Sequence, residues 1–386
     1  MDIRMYNCYF GDCFKINISR EASLLVDYGI YHSCKTRQIR EDRFDDIYKD
    51  IMDNEVDFLL SHYHEDHYNG AIHANQNHGY QFKNVYIPDI WGFDGCIEAI
   101  NLELIRLILV GYKINKENTI FDFLKSICVS AGIINFVHRG SIIRNKYVAL
   151  WPSQDYIKDQ SSKILQETCK KLDIGEEDLS ILYGFATRMR EIVLQIRSRD
   201  FKNDDLIRYI NDLEIEFYQF VENTRFRNKA NKKACIPLKR FGNEISIVFQ
   251  NVEDTTSENV LFTGDFGMTK KLWNIIENNT DGHPDCDMHK TYHVIKIPHH
   301  GTSSYYHSFV NHMSADSILM IPNDAVKGKG SWEICSKYSL NANSAQAKVI
   351  CSASNSCEAK NCNYGKCTCT SHEIIQISKY YYKDIT

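Results

Sequence analysis

Long apolar runs, a dominant sign of charge and internal repeats are all missing from this 386-residue chain. The longest apolar stretch, Leu102–Tyr112 (LELIRLILVGY), is broken by Glu103 and Arg106. It falls short of the ~20 residues that a bilayer crossing needs, so no membrane partner is expected. Lys and Arg number 45 against 50 Asp and Glu, for a formal charge of −5. That is too mild to draw the whole protein to nucleic acid or acidic lipid, and any such binding has to come from a local patch. The first residues, MDIRMYNCYFGDCFKI, show no basic region followed by an apolar stretch and a small-residue cleavage site. No secretory leader is evident there, and the cytoplasm is the expected address. Nothing repeats at a fixed period, and no low-complexity run is visible.

What is present is 43% hydrophobic and 25% charged, the balance of a globular protein with one large domain or two ordinary ones. Fourteen cysteines in a chain without a leader read as reduced thiols, with metal ligands where they cluster. Residues 1–95 alternate short β-type runs such as CFKINI, SLLVDYG, VDFLLS and KNVYIP with helical text, and residues 97–131 read as two helices. Strands return at IINFVHRG and YVALWP. Residues 155–228 are helical in pattern throughout and contain no proline, which reads as a helical insertion packed on a core. The other reading is a surface for a protein partner or a substrate. EISIVFQN, NVLFTGDFG, HVIKIPHHG, SILMIPND, AKVICSA and EIIQISKYYY then restore the strands. The expectation is one α/β domain over 1–386, a sandwich interrupted by the insertion.

The chemistry concentrates in Asp57–Gly70, DFLLSHYHEDHYNG. His62 and His64 are two apart on an extended segment, so both imidazoles face one side. Asp66 and His67 follow where the chain turns towards a helix. Imidazoles and a carboxylate in this order suit borderline ions such as Zn²⁺, and their diverging directions suit two adjacent ions better than one. Later strand ends offer more ligands. Asp265 lies between two glycines in NVLFTGDFG, and His299 and His300 end HVIKIPHHG.

These motifs together resemble the metallo-β-lactamase fold superfamily, in which H-x-H-x-D-H holds one or two metals between two packed sheets. FTGDFG resembles its bridging-aspartate motif, and LLVDYG places Asp27 at the acidic position that supports the metal site. IPHHGTS is similar to the P-H-H-G-S motif of the branch containing the metallo-β-lactamase-like domain of competence DNA-uptake proteins and some phosphocholine esterases. YVALWPS and GNEISIVF look like intermediate strands of that branch. The resemblance implies an αββα sandwich and a centre of two Zn²⁺ ions, with Mn²⁺ as the alternative. His62, His64 and His300 would hold one ion, Asp66 and His67 the other, and Asp265 would bridge. His299 would support the site or contact substrate, and Asp66 and His299 are the catalytic candidates beside the metals. The branch usually brings one more histidine, often in G-H-P. Here IPNDAVKGKGSWEIC has none, with Ser331 near the expected position, so the Asp66/His67 position is expected to bind metal more weakly. Hydrolysis by a metal-held hydroxide is the implied reaction.

Two further segments stand out. Cys351, Cys357, Cys362, Cys367, Cys369 and His372 fall in 22 residues, in a stretch (351–372) expected to be a hairpin carrying a structural zinc; disulfide or redox use and free thiols are the alternatives. RFRNKANKKACIPLKR, which includes Arg225, Arg227, Lys229, Lys232 and Lys233, has seven basic and no acidic side chains. Such runs are usually solvated, but this one can contact phosphates if it lies near the cleft. The function expected is therefore a metal-dependent phosphodiesterase, first of all a nuclease. The alternatives are a small-molecule hydrolase acting on a phosphocholine ester, lactone or thioester, and an effector subunit whose partner docks on the helical insertion.

Overall fold

Neighbouring residues along the strands pack in opposite directions, and this alternation separates the layers. Leu24 and Val26 lie in the apolar layer between two sheets, whereas Leu25 joins the one beneath the helices. Val260 and Phe262 likewise face the partner sheet, and Leu261 faces outward. The computed structural model describes residues 2–32, 35–110, 118–129, 132–199, 203–224, 232–255, 258–267, 269–323, 334–352 and 374–378.

One sheet runs β1 (Asp2–Tyr6), β2 (Cys13–Asn17), β3 (Ala22–Tyr28), β4 (Glu55–Leu59), β5 (Val85–Pro88) and β6 (Ile134–Val137). The other runs β7 (Ile142–Ile143), β8 (Tyr147–Trp151), β9 (Val248–Asn251), β10 (Val260–Phe262), β11 (Val294–Lys296), β12 (Ile318–Ile321) and β13 (Lys348–Cys351). β14 (Ile374–Ser378) returns to the first sheet beside β1. Both sheets are mixed in the same way. Pairing is antiparallel from β14 to β3 and from β7 to β10, then parallel from β3 to β6 and from β10 to β13. Phe262 ties the sheets together: its ring stacks on Phe249 at 5.1 Å and meets Phe14 of the opposite sheet edge-on at 5.4 Å. Strands such as β5, β8 and β12 are buried throughout because both of their faces are covered.

Ten α-helices are seen among the described residues. α1 (Arg37–Ile51), α2 (Asn69–His78), α3 (Ile97–Val110) and α4 (Ile120–Cys128) cover the first sheet. α5 (Gln154–Leu172), α6 (Glu176–Ser198), α7 (Asn203–Asn223) and α8 (Lys232–Glu244) pack onto them. Ile157, Leu182 and Phe217 of this second group lie in one continuous core with Phe58 and Val85 of the sheet. The insertion region therefore has no separate core. α9 (Lys270–Glu277) and α10 (Lys337–Ala345) cover the second sheet.

One sequence expectation changes. The stretch read as strand from EISIVFQN begins later, because α8 runs to Glu244 and β9 starts only at Val248. β13 and β14, which follow one another in sequence on either side of the cysteine-rich segment, belong to different sheets and do not pair; the hairpin expected over 351–372 lies, past Ser352, outside the described residues. The intervening chain connects the sheets. Cys351 is buried at the end of β13 and its thiol donates to the Asn323 carbonyl at 3.3 Å. Cys357, Cys362, Cys367, Cys369 and His372 lie outside the described residues, as does Ser331.

Candidate metal centre

The parallel strands β3, β4, β10 and β11 bring the ends of their chains to one rim of the sandwich, the place where open α/β sheets bind ligands. β4 feeds a bent stretch, Ser61–Tyr63, then the extended His64, and a short 3₁₀ turn over Glu65–His67 leads into α2. The turn is pinned from below. The Asn69 side chain accepts from Ile30 N at 2.9 Å and donates to Ile30 O at 2.8 Å. Gly29 lies so close that a Cβ there would stand 2.3 Å from the Asp66 carbonyl group, so only glycine lets these two backbones touch. Asp265 follows β10, and its N–H donates to Ser246 Oγ at 3.2 Å. After β11, His299 and His300 both take left-handed φ angles of 43° and 53°. Two non-glycine residues held so cost about 1–3 kcal/mol each. The turn is held by Asn323, which donates to the His300 carbonyl at 2.8 Å.

The ligand atoms meet at one carboxylate oxygen. Asp265 Oδ2 lies 3.5 Å from His67 Nε2, 3.7 Å from His300 Nε2, 3.7 Å from His299 Nε2 and 3.9 Å from His62 Nε2. His64 Nδ1 is 2.9 Å from His62 Nε2, and Asp66 Oδ2 is 3.9 Å from His300 Nε2. The far nitrogens are anchored. His67 Nδ1 is 2.9 Å from Asp27 Oδ2, and Asp27 Oδ1 accepts from Ser61 N at 2.7 Å. His300 Nδ1 lies 3.1 Å from both the Pro322 carbonyl and Asp12 Oδ1. His62 Nδ1 meets Ser61 Oγ at 3.1 Å, and His299 Nδ1 meets Thr302 Oγ1 at 2.7 Å. An imidazole that gives its Nδ1 proton to such a partner offers a lone pair at Nε2. His67 Nε2, His300 Nε2 and Asp265 Oδ1 are buried with no hydrogen-bond partner.

Charge points the same way. Asp12, Asp27 and Asp265 are buried and Asp66 nearly so, while Lys296 is the one buried lysine among them. Its Nζ lies 2.5 Å from Asp12 Oδ2 and donates to the Gly264 carbonyl at 2.6 Å. With neutral imidazoles the pocket carries three uncompensated negative charges, which burial does not tolerate. Two divalent cations would supply one positive charge more than that and leave room for one anionic ligand. Burial opposes charge on His67 and His300, but Asp27 and Asp265 raise the pKa of the first well above its ordinary value, and Asp265 and Asp12 raise the second. Burial and the neighbouring imidazoles push His62 and His64 well below theirs, and burial lowers His299 to about 4. Asp265 stays well below the carboxylate range because the facing imidazoles of His300, His299 and His67 outweigh burial. Residues of this type, orphaned and net negative, fit a pair of divalent ions.

The distribution of ligands differs from the expected one. His300 falls with Asp66 and His67, not with His62 and His64. Phe10 packs against its ring at 4.2 Å, and Asp12 and Pro322 hold its Nδ1, so Nε2 turns towards Asp66. His62 groups with Asp265 and, as a further imidazole, His67, while no set of three or more candidate ligands among the described residues includes His64; His299 faces Asp265, a quarter exposed and stacked on Tyr305 at 3.9 Å. His307 and His312 sit elsewhere, near Glu277 of α9.

Asp12, Lys296, Ser61 and Gly242 were not singled out by sequence reasoning. Lys296 carried a signal: two positions after Val294 on an apolar strand, it must face the same inner layer. Gly242 gave none. It lets α8 approach His64, where a Cβ would lie 2.7 Å from Nε2. Of the basic run, Arg225, Arg227 and Lys229 lie outside the described residues, and Lys232 and Lys233 open α8. No family model, curated protein or solved structure matches this chain.

Proposed function

We propose that this protein is a metal-dependent hydrolase of the metallo-β-lactamase kind, holding two divalent ions, zinc first and manganese as the alternative. The observation that carries the reading is the convergence of four imidazole Nε2 atoms on Asp265 Oδ2, with two of them orphaned in a pocket that lacks positive charge. Asp66, His67, His300 and Asp265 would hold one ion, and His62, His64 and Asp265 the other. Bound ions supply an activated water and relief of the charge that develops on the leaving oxygen. The chain's own residues do the rest. Asp27 and Asp12 fix the tautomers of His67 and His300. Lys296 compensates Asp12 without occupying a ligand position. His299, at the exposed side, is the group to meet the substrate.

The substrate class we favour is a phosphodiester, with nucleic acid foremost. Support comes from the IPHHGTS segment and from the basic run, whose last residues form α8; the far end of that helix lies against His64. Neutralising phosphates makes binding fall steeply with salt. A nuclease should therefore bind and cut oligonucleotides with a strong salt dependence that Lys232→Ala/Lys233→Ala reduces, while a small chromogenic phosphodiester is cut nearly as before. Cleavage of the chromogenic diester with no binding or cutting of DNA or RNA, at low salt and with manganese, would leave the small-molecule reading. Loss of neither metal nor activity in His64→Ala and Asp265→Ala would overturn the metal centre itself. No helix among the described residues is long and apolar enough to cross a membrane.

A further inference from the structure

A second set of metal-ligating side chains sits at the opposite end of α2. His73 and His78 project from α2, and Asp45 projects from α1. His73 Nε2 lies 2.7 Å and His78 Nε2 2.8 Å from the same oxygen, Asp45 Oδ1. All three ligand atoms are within 4.8 Å of one another. We propose that Asp45, His73 and His78 bind a divalent transition ion of the zinc type, which clamps α1 to the C-terminal end of α2.

Two imidazoles and one carboxylate are a borderline donor set that leaves the fourth tetrahedral position to water. Metal–ligand bonds of about 2.0–2.2 Å place ligand atoms about 3.4 Å apart, so each present contact has to open by only about 0.6 Å. The rings are already oriented. His78 stacks on Tyr48 at 4.0 Å with the planes 4° apart, and His73 leans on Phe44 at 5.3 Å. Little side-chain freedom remains to be lost on binding. The Asn77 amide lies 3.0 Å from His73 Nδ1. Turned to present its oxygen, that amide takes the Nδ1 proton and frees the Nε2 lone pair, the role outer partners play at zinc histidines. His78 is the last residue of α2, where the helix carbonyls favour a cation. Among the described residues no lysine or arginine pairs with Asp45, and its two imidazole partners hold the carboxyl below the usual range against slight burial. Asp45 is 40% and His78 27% exposed, so an ion reaches them from solvent, while His73 is 9% exposed and anchors the set.

The test uses the full-length, metal-stripped protein and Zn²⁺ alone, with bound metal counted by equilibrium dialysis. His73→Ala/His78→Ala and, separately, Asp45→Asn should each bind one equivalent fewer than wild type, while hydrolysis of a chromogenic phosphodiester is unchanged. His64→Ala/Asp265→Ala should keep that equivalent while losing metal at the centre between the sheets. The count therefore stands whether or not the hydrolase reading does. Asn77→Ala should weaken the same equivalent by about tenfold. Should the double variant fail to fold by circular dichroism, Asp45→Asn and Asn77→Ala carry the decision. Wild-type stoichiometry and affinity in Asp45→Asn would overturn the proposal and leave the cluster as a hydrogen-bonded tie.

Discussion

Replacing Asp27 with Asn alters one atom in kind and almost nothing in shape. Asp27 holds a left-handed φ of 55°, which Asn adopts as readily, so the backbone keeps its course. The retained oxygen goes on accepting from Ser61 N at 2.7 Å. The atom that took the His67 Nδ1 proton at 2.9 Å becomes an NH₂ donor, and two donors cannot face each other. The ring answers by moving its proton to Nε2, the atom 3.5 Å from Asp265 Oδ2 that has to offer a lone pair. Outer partners of ligating histidines are worth 10–100-fold in metal affinity, and a reversed tautomer belongs at the upper end. The expected loss is about 100-fold, or about 2.7 kcal/mol, at the Asp66–His67–His300 position, with the His62/His64 position little affected. Zinc titration of the metal-free variant against a competing chelator reads both positions, and circular dichroism checks the fold. Uptake of both equivalents at wild-type affinity would refute the claim that Asp27 sets the His67 tautomer.

Other consequences follow from neighbouring contacts. Gly242→Ala puts a methyl 2.7 Å from His64 Nε2; activity at limiting metal should fall while activity at saturating metal returns, as a metal-dependence curve would read. Lys296→Met strands Asp12 in a buried pair at 2.5 Å and should destabilise the metal-free protein by about 3–5 kcal/mol in a denaturant titration, whereas adding Asp12→Asn should restore most of it. His67 and His300 have folded pKa values above the ordinary 6.5, so in the metal-free protein their protons stabilise the fold below that pH and the benefit is lost as pH rises through the folded values. Metal binding would displace those protons; calorimetry in buffers of different ionisation enthalpy should find a proton release that grows as the pH is lowered towards 6.5, and none at any pH would contradict the assignment. The Asp66–His67–His300 position should load first, and His299→Ala should weaken only the second; equal weakening of both would place His299 outside the His62/His64 set.

Much of this candidate centre was legible because the residues that could hold an ion sit next to strong local signals. His62, His64, Asp66 and His67 follow an apolar strand at once, and Asp265 and His300 each close another. Strand ends in a parallel arrangement converge on one rim, so residues there meet whatever the intervening length. The grouping of His300 was not legible. It depends on left-handed backbone at 299 and 300 and on Phe10 and Asp12 from the opposite sheet, none of which leaves a trace in the spacing of P-H-H-G-T. The sheet in which the last strand lies was not legible either. β13 and β14 follow one another in sequence, but β14 finds its pairing edge at β1, at the other end of the chain. Register across long loops is set by which edge is free, a property of the assembled sheet.

The centre also bears on how the two sheets hold together. Asp12, Asp27, His62, His64, Asp66 and His67 belong to the first sheet or the loops that leave it, and Asp265, Lys296, His299 and His300 to the second. Away from the rim the layer between the sheets is apolar, with Phe14, Leu24, Val26, Phe262 and Met320 in contact there, and its contribution does not depend on ions. At the rim the balance is reversed. Carboxylates from both sheets face one another across a single lysine, and docking the sheets there confines like charges in a medium that screens them poorly. Protons on His67 and His300 relieve that repulsion, and divalent ions held as proposed would relieve it by bonding to both sheets at once. Ions that bind the docked sheets and not the separated ones stabilise docking by mass action, by about 2.7 kcal/mol at a hundred times the dissociation constant. On the proposed reading the rim is thus also the place where the sandwich would be weakest without metal, and ion binding and closure of the rim would be one equilibrium.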